Sequence, residues 1–199
     1  MIKKYEFTEE LHPKYPNVRR IRALIDIPSC FVQAEDLGGW LEGEHNLSHD
    51  GDCWVAGEAI IVDRAVVVDN AYVCHSSVVG GYARIGGEAL ISDAAYVGGW
   101  VKITGDATVF GAAVVVGHTV VSGYAKVCGQ ASVNGEELCI YGNVRVEGAA
   151  RVRGTGLITG SKTFSSGVHV FREHIGTDPD ILNSDTLLSE IILKSMIKI

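Results

Sequence analysis

The chain has 199 residues, of which 24 are glycine and only 4 proline, with 47% hydrophobic and 21% charged residues. This excludes collagen, where glycine and proline rise together, and it excludes disorder, which cannot carry so much apolar side chain. A net charge of −7 at pH 7 disfavours nonspecific binding to nucleic acid or to an anionic membrane, and no apolar run is long enough for a transmembrane helix.

The five cysteines (30, 53, 74, 128 and 139) form no Cys-x-x-Cys pair. They are expected to be reduced thiols in a cytoplasmic protein, with no zinc held between them. Lys3 and Lys4 are followed by no apolar segment, so a secretory leader is not expected.

Residues 1–52 read as a cap. Tyr5-Glu6-Phe7-Thr8 and Val18 to Ile25 alternate as strands, with His12-Pro13 and Tyr15-Pro16-Asn17 as the turn between them. Leu41 and Leu47 stand twelve and six residues before Cys53. That spacing predicts an imperfect first coil with both leucines in the small-residue slot defined next.

Residues 53–160 carry a period of six. A valine or isoleucine recurs at every sixth position from Val55 to Val133, and the phase resumes at Ile140 after one extra residue within Asn134–Leu138, continuing to Ile158. These are eighteen rungs. Two positions before each rung lies a small residue, most often alanine. Two positions after lies glycine, replaced only by Asp63, Asp69, His75 and Asp93. Residues two apart point to one side of a strand, so each hexad is a short strand with two inward side chains. Glycine then takes a corner with positive φ, where Asp and His are among the tolerated substitutes. Three hexads close one coil, which predicts about six three-sided coils and a rod of about 29 Å at about 4.8 Å per coil.

This hexad resembles the hexapeptide-repeat proteins, and the resemblance implies an all-β fold, a left-handed parallel β-helix. The leader resembles a group of phage- and prophage-borne β-helix proteins of poorly known function. It does so through Arg22-Ala23-Leu24, Asp36-Leu37-Gly38-Gly39-Trp40, Asn46-Leu47-Ser48 and Cys53-Trp54-Val55. The C-terminal block of that group is represented only by Val170-Phe171-Arg172. Residues 161–199 form an extension. Within it Leu188, Ile191, Ile192 and Met196 are at helical spacing, with Asp185 as an N-cap, predicting a helix over about 184–198 that packs on the rod or binds a partner.

The residue before each rung points outward. On the first face these include Trp54, Tyr72 and Leu90, and on the second Ile60, Val78, Tyr96 and Val114. Apolar stripes of this size seldom stay exposed on a monomer. They predict either cover by the flanks or self-association, as a homotrimer by resemblance and otherwise as a homodimer.

Chemistry is harder to find. The resembled acyltransferases use a histidine base and acetyl-CoA, which makes His118 and His75 the catalytic candidates. The repeat is uninterrupted by projecting loops, however, and His75 occupies a glycine slot. No metal site is expected. Arg64, Tyr82, Trp100, His118 and Glu136 recur at intervals of 18, so Tyr82, Trp100 and His118 should stack along one corner, as packing or as a binding edge. The reading is a non-catalytic, self-associating rigid scaffold without a cofactor, acting on another protein, a host protein if the chain is phage-borne. An acetyl-CoA-dependent acyltransferase and a small-ligand sponge are the alternatives.

Overall fold

A computed structural model describes residues 3–172. Strands repeat along the chain and pair in parallel between successive coils, making a parallel β-solenoid of about seven turns. The first face stacks seven short strands, from Trp54–Val55 through Tyr72–Val73 and Leu90–Ile91 to Thr163–Phe164. The second face runs through Ile60–Ile61, Val78–Val79 and Tyr96–Val97, and the third through Val66–Val67 and Arg84–Ile85 to Trp100–Ile103. From Val114–Val121 onward the corner backbone itself pairs between coils, with Trp100 opposite His118. The second and third faces therefore join there into one sheet.

The core follows from the hexad. The rung residues from Val55 to Ile158 are fully buried, and so is nearly every small residue beside them. Corners turn through positive φ. Gly111, at φ 75°, faces Gly129 on the next coil so closely that a Cβ would stand 2.9 Å from its backbone nitrogen and oxygen. The aspartates in this slot do more than tolerate the conformation. Asp63, Asp69 and Asp93, all with φ near 60°, each accept the backbone N–H of the glycine one coil on, at Gly81 (2.8 Å), Gly87 (2.9 Å) and Gly111 (2.9 Å). A carboxylate thus replaces the close glycine contact with a charge-assisted hydrogen bond along the rod.

Three strands close the N-terminal end: β1 (Tyr5–His12), β2 (Tyr15–Ala23) and β3 (Leu37–Leu41). β1 and β2 form an antiparallel hairpin, with Tyr15 already inside β2. β2 also pairs antiparallel with β3, which starts the second face by pairing in parallel with Ile60–Ile61. The antiparallel hairpin laid on β3 ends the second-face sheet at β1, while the first-face sheet ends at Trp54–Val55.

Two sequence expectations change here. Leu41 lies opposite Ile61 and Leu47 opposite Val67, so both leucines are rungs, not small-slot residues. The first coil is two residues longer than the regular 18-residue coils, and counting back in sixes from Cys53 misses that insertion. The pairing also runs past residue 160, to Phe164 and Val168–Phe171. The expected helix at 184–198 lies outside the described residues.

The cap also corrects the outward columns. Trp54 is only 1% exposed and Ile60 9%, so neither is available as an oligomer contact. Trp54 lies beneath Gly38 and Ile21, and a Cβ on Gly38 would meet the indole at 2.7 Å. Ile60 packs with Val18 and Trp40. Trp40 is held in turn by its indole N–H, which donates to Glu58 at 3.0 Å, while Arg20 donates to the same carboxylate at 2.9 Å. These two donors hold the Glu58 carboxyl below its ordinary pKa.

The open end of the core is plugged by charge. Lys4 is buried, and its ammonium donates to the carbonyls of Gly51 (3.1 Å) and Cys53 (2.8 Å). The Tyr5 hydroxyl donates to the carbonyls of Glu44 and Leu47. These are acceptors that no further coil is present to satisfy. His49 stacks on Tyr5 at 4.5 Å and accepts the Lys4 backbone N–H at Nδ1. The five cysteines are all free. Burial pushes the Cys74 thiol up to about 11 and Cys139 up to about 12, so both stay protonated at neutral pH.

Replacing Asp93 separates the two roles of the corner aspartate. Asp93→Ala is expected to lower stability by about 2 kcal/mol, through the lost charge-assisted bond and the strained corner, and Asp93→Gly by about 1 kcal/mol less. Urea unfolding midpoints measure both. His49 supplies a pH prediction. Burial, helped by Lys3 and Lys4 and opposed by Glu44, lowers its pKa in the folded state. The unfolded chain then binds the proton more readily, so stability is complete above about pH 6.5 and falls as pH drops toward the folded-state value. Denaturation midpoints should decline between about pH 7 and pH 5, and less steeply in His49→Gln.

Candidate functional site: the aromatic corner

The corner between the second and third faces carries one large side chain per coil. Its regularity comes from the pairing itself, since residues 18 apart lie directly above one another. Tyr82 and Trp100 stack with ring centroids 4.1 Å apart and planes 3° from parallel. His118 continues the column at 5.9 Å from Trp100, tilted by 34°. All three are exposed, Tyr82 by 45% and Trp100 by 41%. The expected column of Tyr82, Trp100 and His118 is therefore present as a physical stack. It does not continue to Glu136. The extra residue of that coil is a bulge in which Glu136 and Glu137 together face His118, and the pairing steps from Gly135 to Leu138.

Toward the N-terminus the column opens into a groove of about 990 Å³. Its floor is Tyr82, Gly81 and Arg84, its outer wall Arg64 and Val66, and its upper rim Glu42, His45 and Asp63. The rim is fixed by hydrogen bonds. Glu42 Oε2 accepts the Asp63 backbone N–H at 2.6 Å, Asp63 Oδ2 accepts from Gly81, and His45 Nε2 lies 2.6 Å from the Asp63 carbonyl. Behind it the buried Asn46 donates to the carbonyls of Asp63 and Ala65. Below Arg84, a smaller hollow of about 160 Å³ is lined by Asp69, Arg84, Lys102 and Thr104.

The two histidine candidates are not brought together. His75 is on the corner between the first and second faces, at φ 61°, with its Nδ1 3.1 Å from Cys74 Sγ. It fills the glycine slot, as the hexad implies. His118 is on the aromatic corner. Among the described residues no group of three His, Cys, Asp or Glu side chains is placed to hold a metal. No helix among them is long and apolar enough to cross a membrane.

Sequence reasoning found Arg64, Tyr82, Trp100 and His118 by their spacing of 18. It missed Glu42 and His45, which the longer first coil carries to the same corner. No protein-family model matches the chain, and no curated protein is detectably similar to it.

A double-mutant cycle on Tyr82→Ala and Trp100→Ala should return a coupling of about 0.5–1.5 kcal/mol, the usual worth of a stacked aromatic pair beyond its buried area. Additive losses in urea unfolding would show that the rings merely coexist.

Proposed function

We propose that this protein is a non-catalytic, rigid β-solenoid scaffold that self-associates and presents its faces to a protein partner. The observation that supports this reading is the apolar column of the second face. The N-terminal cap covers the top of that column, where Ile60 is buried with Val18 and Trp40 and Val78 packs against them. Below it Tyr96 is 44% exposed and Val114 is half-buried. The first face adds a second patch, where Phe31 is 94% exposed beside a hollow lined by Tyr72 and Leu90. Apolar groups aligned on a rigid rod gain the hydrophobic free energy of contact with little ordering cost. A trimer is the first arrangement proposed and a dimer the second. The cytoplasmic location rests on the reading of the cysteines as reduced thiols, and the phage or prophage origin, with the host setting it implies, on the resemblance of the leader.

The acyltransferase alternative would place His118 or His75 as the general base on an acceptor hydroxyl, with acetyl-CoA as the acyl donor. What supports the scaffold reading over it is the setting of His118, which stacks in an exposed aromatic column.

Light scattering or sedimentation should give a mass that is a multiple of the single chain, and Tyr96→Glu combined with Val114→Glu should return a folded monomer. A monomeric parent protein at micromolar concentration would overturn the proposal. Acetyl-CoA at about 1 mM should leave the melting temperature unchanged, because a ligand with no affinity for the folded state shifts nothing.

A further inference from the structure

The groove above Tyr82 combines three features that a scaffold does not need. The first is an unoccupied aromatic face. One face of Tyr82 is taken by Trp100, and the ring also lines the groove, together with Arg64 and Val66 of the coil above it and Glu42 and His45 of the first coil. Arg64, one coil above, does not lie over this ring. Its backbone N–H holds the coil through the Gly81 carbonyl at 2.9 Å, and the cation–ring contacts of the described residues are Arg19 on Phe7 and Arg20 on Trp40. The column of Tyr82, Trp100 and His118 is thus a stack with one open end.

The second feature is positive charge. Arg20, Arg22 and Arg145 each pair with a carboxylate, whereas among the described residues Arg64 and Arg84 form no ion pair. Both guanidinium groups line the same groove of a chain whose net charge is −7. Guanidinium forks match phosphate oxygens two at a time. The overall negative charge is screened beyond about 8 Å at physiological salt, so the groove is governed by its own lining, with Arg64 and Arg84 in the two lower coils and the Glu42 and Asp63 carboxylates at the rim.

The third feature is a set of acceptors at the rim. Glu42 and Asp63 each commit one carboxylate oxygen to a backbone N–H. The second oxygen of each has no hydrogen-bond partner among the described residues, and an amino group on a heterocycle would fit there. A planar ring, an anionic group and an amino-type donor together describe one ligand class.

We propose that this groove binds a nucleotide with an amino-bearing base. The base extends the Tyr82–Trp100 stack, its amino group donates to Glu42 or Asp63, and its phosphate sits between Arg64 and Arg84. The site is complete within one protomer, so it stands or falls independently of self-association. Binding involves no covalent step.

Tryptophan fluorescence reads this site through the stack, since Tyr82 stands between the base and Trp100. Trp40 and Trp54 are buried under the cap, and only Trp100 is exposed. AMP should quench the emission saturably with a Kd below about 1 mM, with calorimetry as confirmation. Adenosine and inorganic phosphate alone should each bind at least about tenfold more weakly, and UMP, whose ring has no amino group, more weakly than CMP. Arg64→Gln with Arg84→Gln should weaken AMP about tenfold or more while leaving the melting temperature unchanged, because both side chains line an open groove. Tyr82→Ala should weaken AMP about tenfold or more by calorimetry, which reads binding whether or not the base then reaches Trp100. No saturable AMP binding below about 1 mM would overturn the proposal, and so would equal affinity in the double arginine variant. Equal binding of UMP and CMP would overturn the role given to Glu42 and Asp63.

Discussion

The structure depends on one constraint: each corner must let the chain turn while keeping its polar backbone groups aligned with the next coil. The ladder is regular. Trp54 N–H bonds to the Ala71 carbonyl, Tyr72 to Ala89 and Leu90 to Ala107, at 2.9–3.0 Å. A left-handed corner residue makes this possible, because it turns the chain from one face to the next without breaking the pairing on either side. Once the corners repeat, the inward side chains stack in columns and the core is a series of nearly identical layers. The same constraint aligns the outward side chains. An aromatic residue at a corner is therefore held above the corresponding residue of the next coil, and a binding edge can form on a backbone that has no loops.

A stack of identical layers has two ends, and the ends are where this chain departs from its own rule. At the N-terminal end the missing coil is replaced by a hairpin, by the Lys4 ammonium and by the Tyr5 hydroxyl, each satisfying carbonyls that would otherwise face nothing. The cap then contributes to the surface in two opposite ways. It hides Trp54 and Ile60, and it brings Glu42 and His45 to the aromatic corner. The proposed nucleotide groove takes its rim from the cap, and the first-face patch takes Phe31 from it.

Within the repeat, much could be read before any coordinates. The buried rungs, the direction of each outward column, the stacking of Tyr82 on Trp100 and the bulge near Glu136 all follow from a period of six and its one interruption. Asp63, Asp69 and Asp93 were legible as tolerated corner residues. Their hydrogen bonds to the next coil were not, because tolerance of positive φ is a property of one residue and the bond belongs to two coils.

The sequence by itself determined the coil, since side-chain alternation and corner sterics act over a few residues and repeat with them. Only the tertiary structure decided which parts of that regular surface remain open. Leu41 and Leu47 became rungs because a two-residue insertion absorbs the change of phase, and Trp54 became core because a hairpin some thirty residues earlier in the chain folds over it. Burial by a distant, non-repeating segment leaves no periodic trace at the residue it buries. The groove shares that origin: its floor comes from the repeat and its rim from the cap.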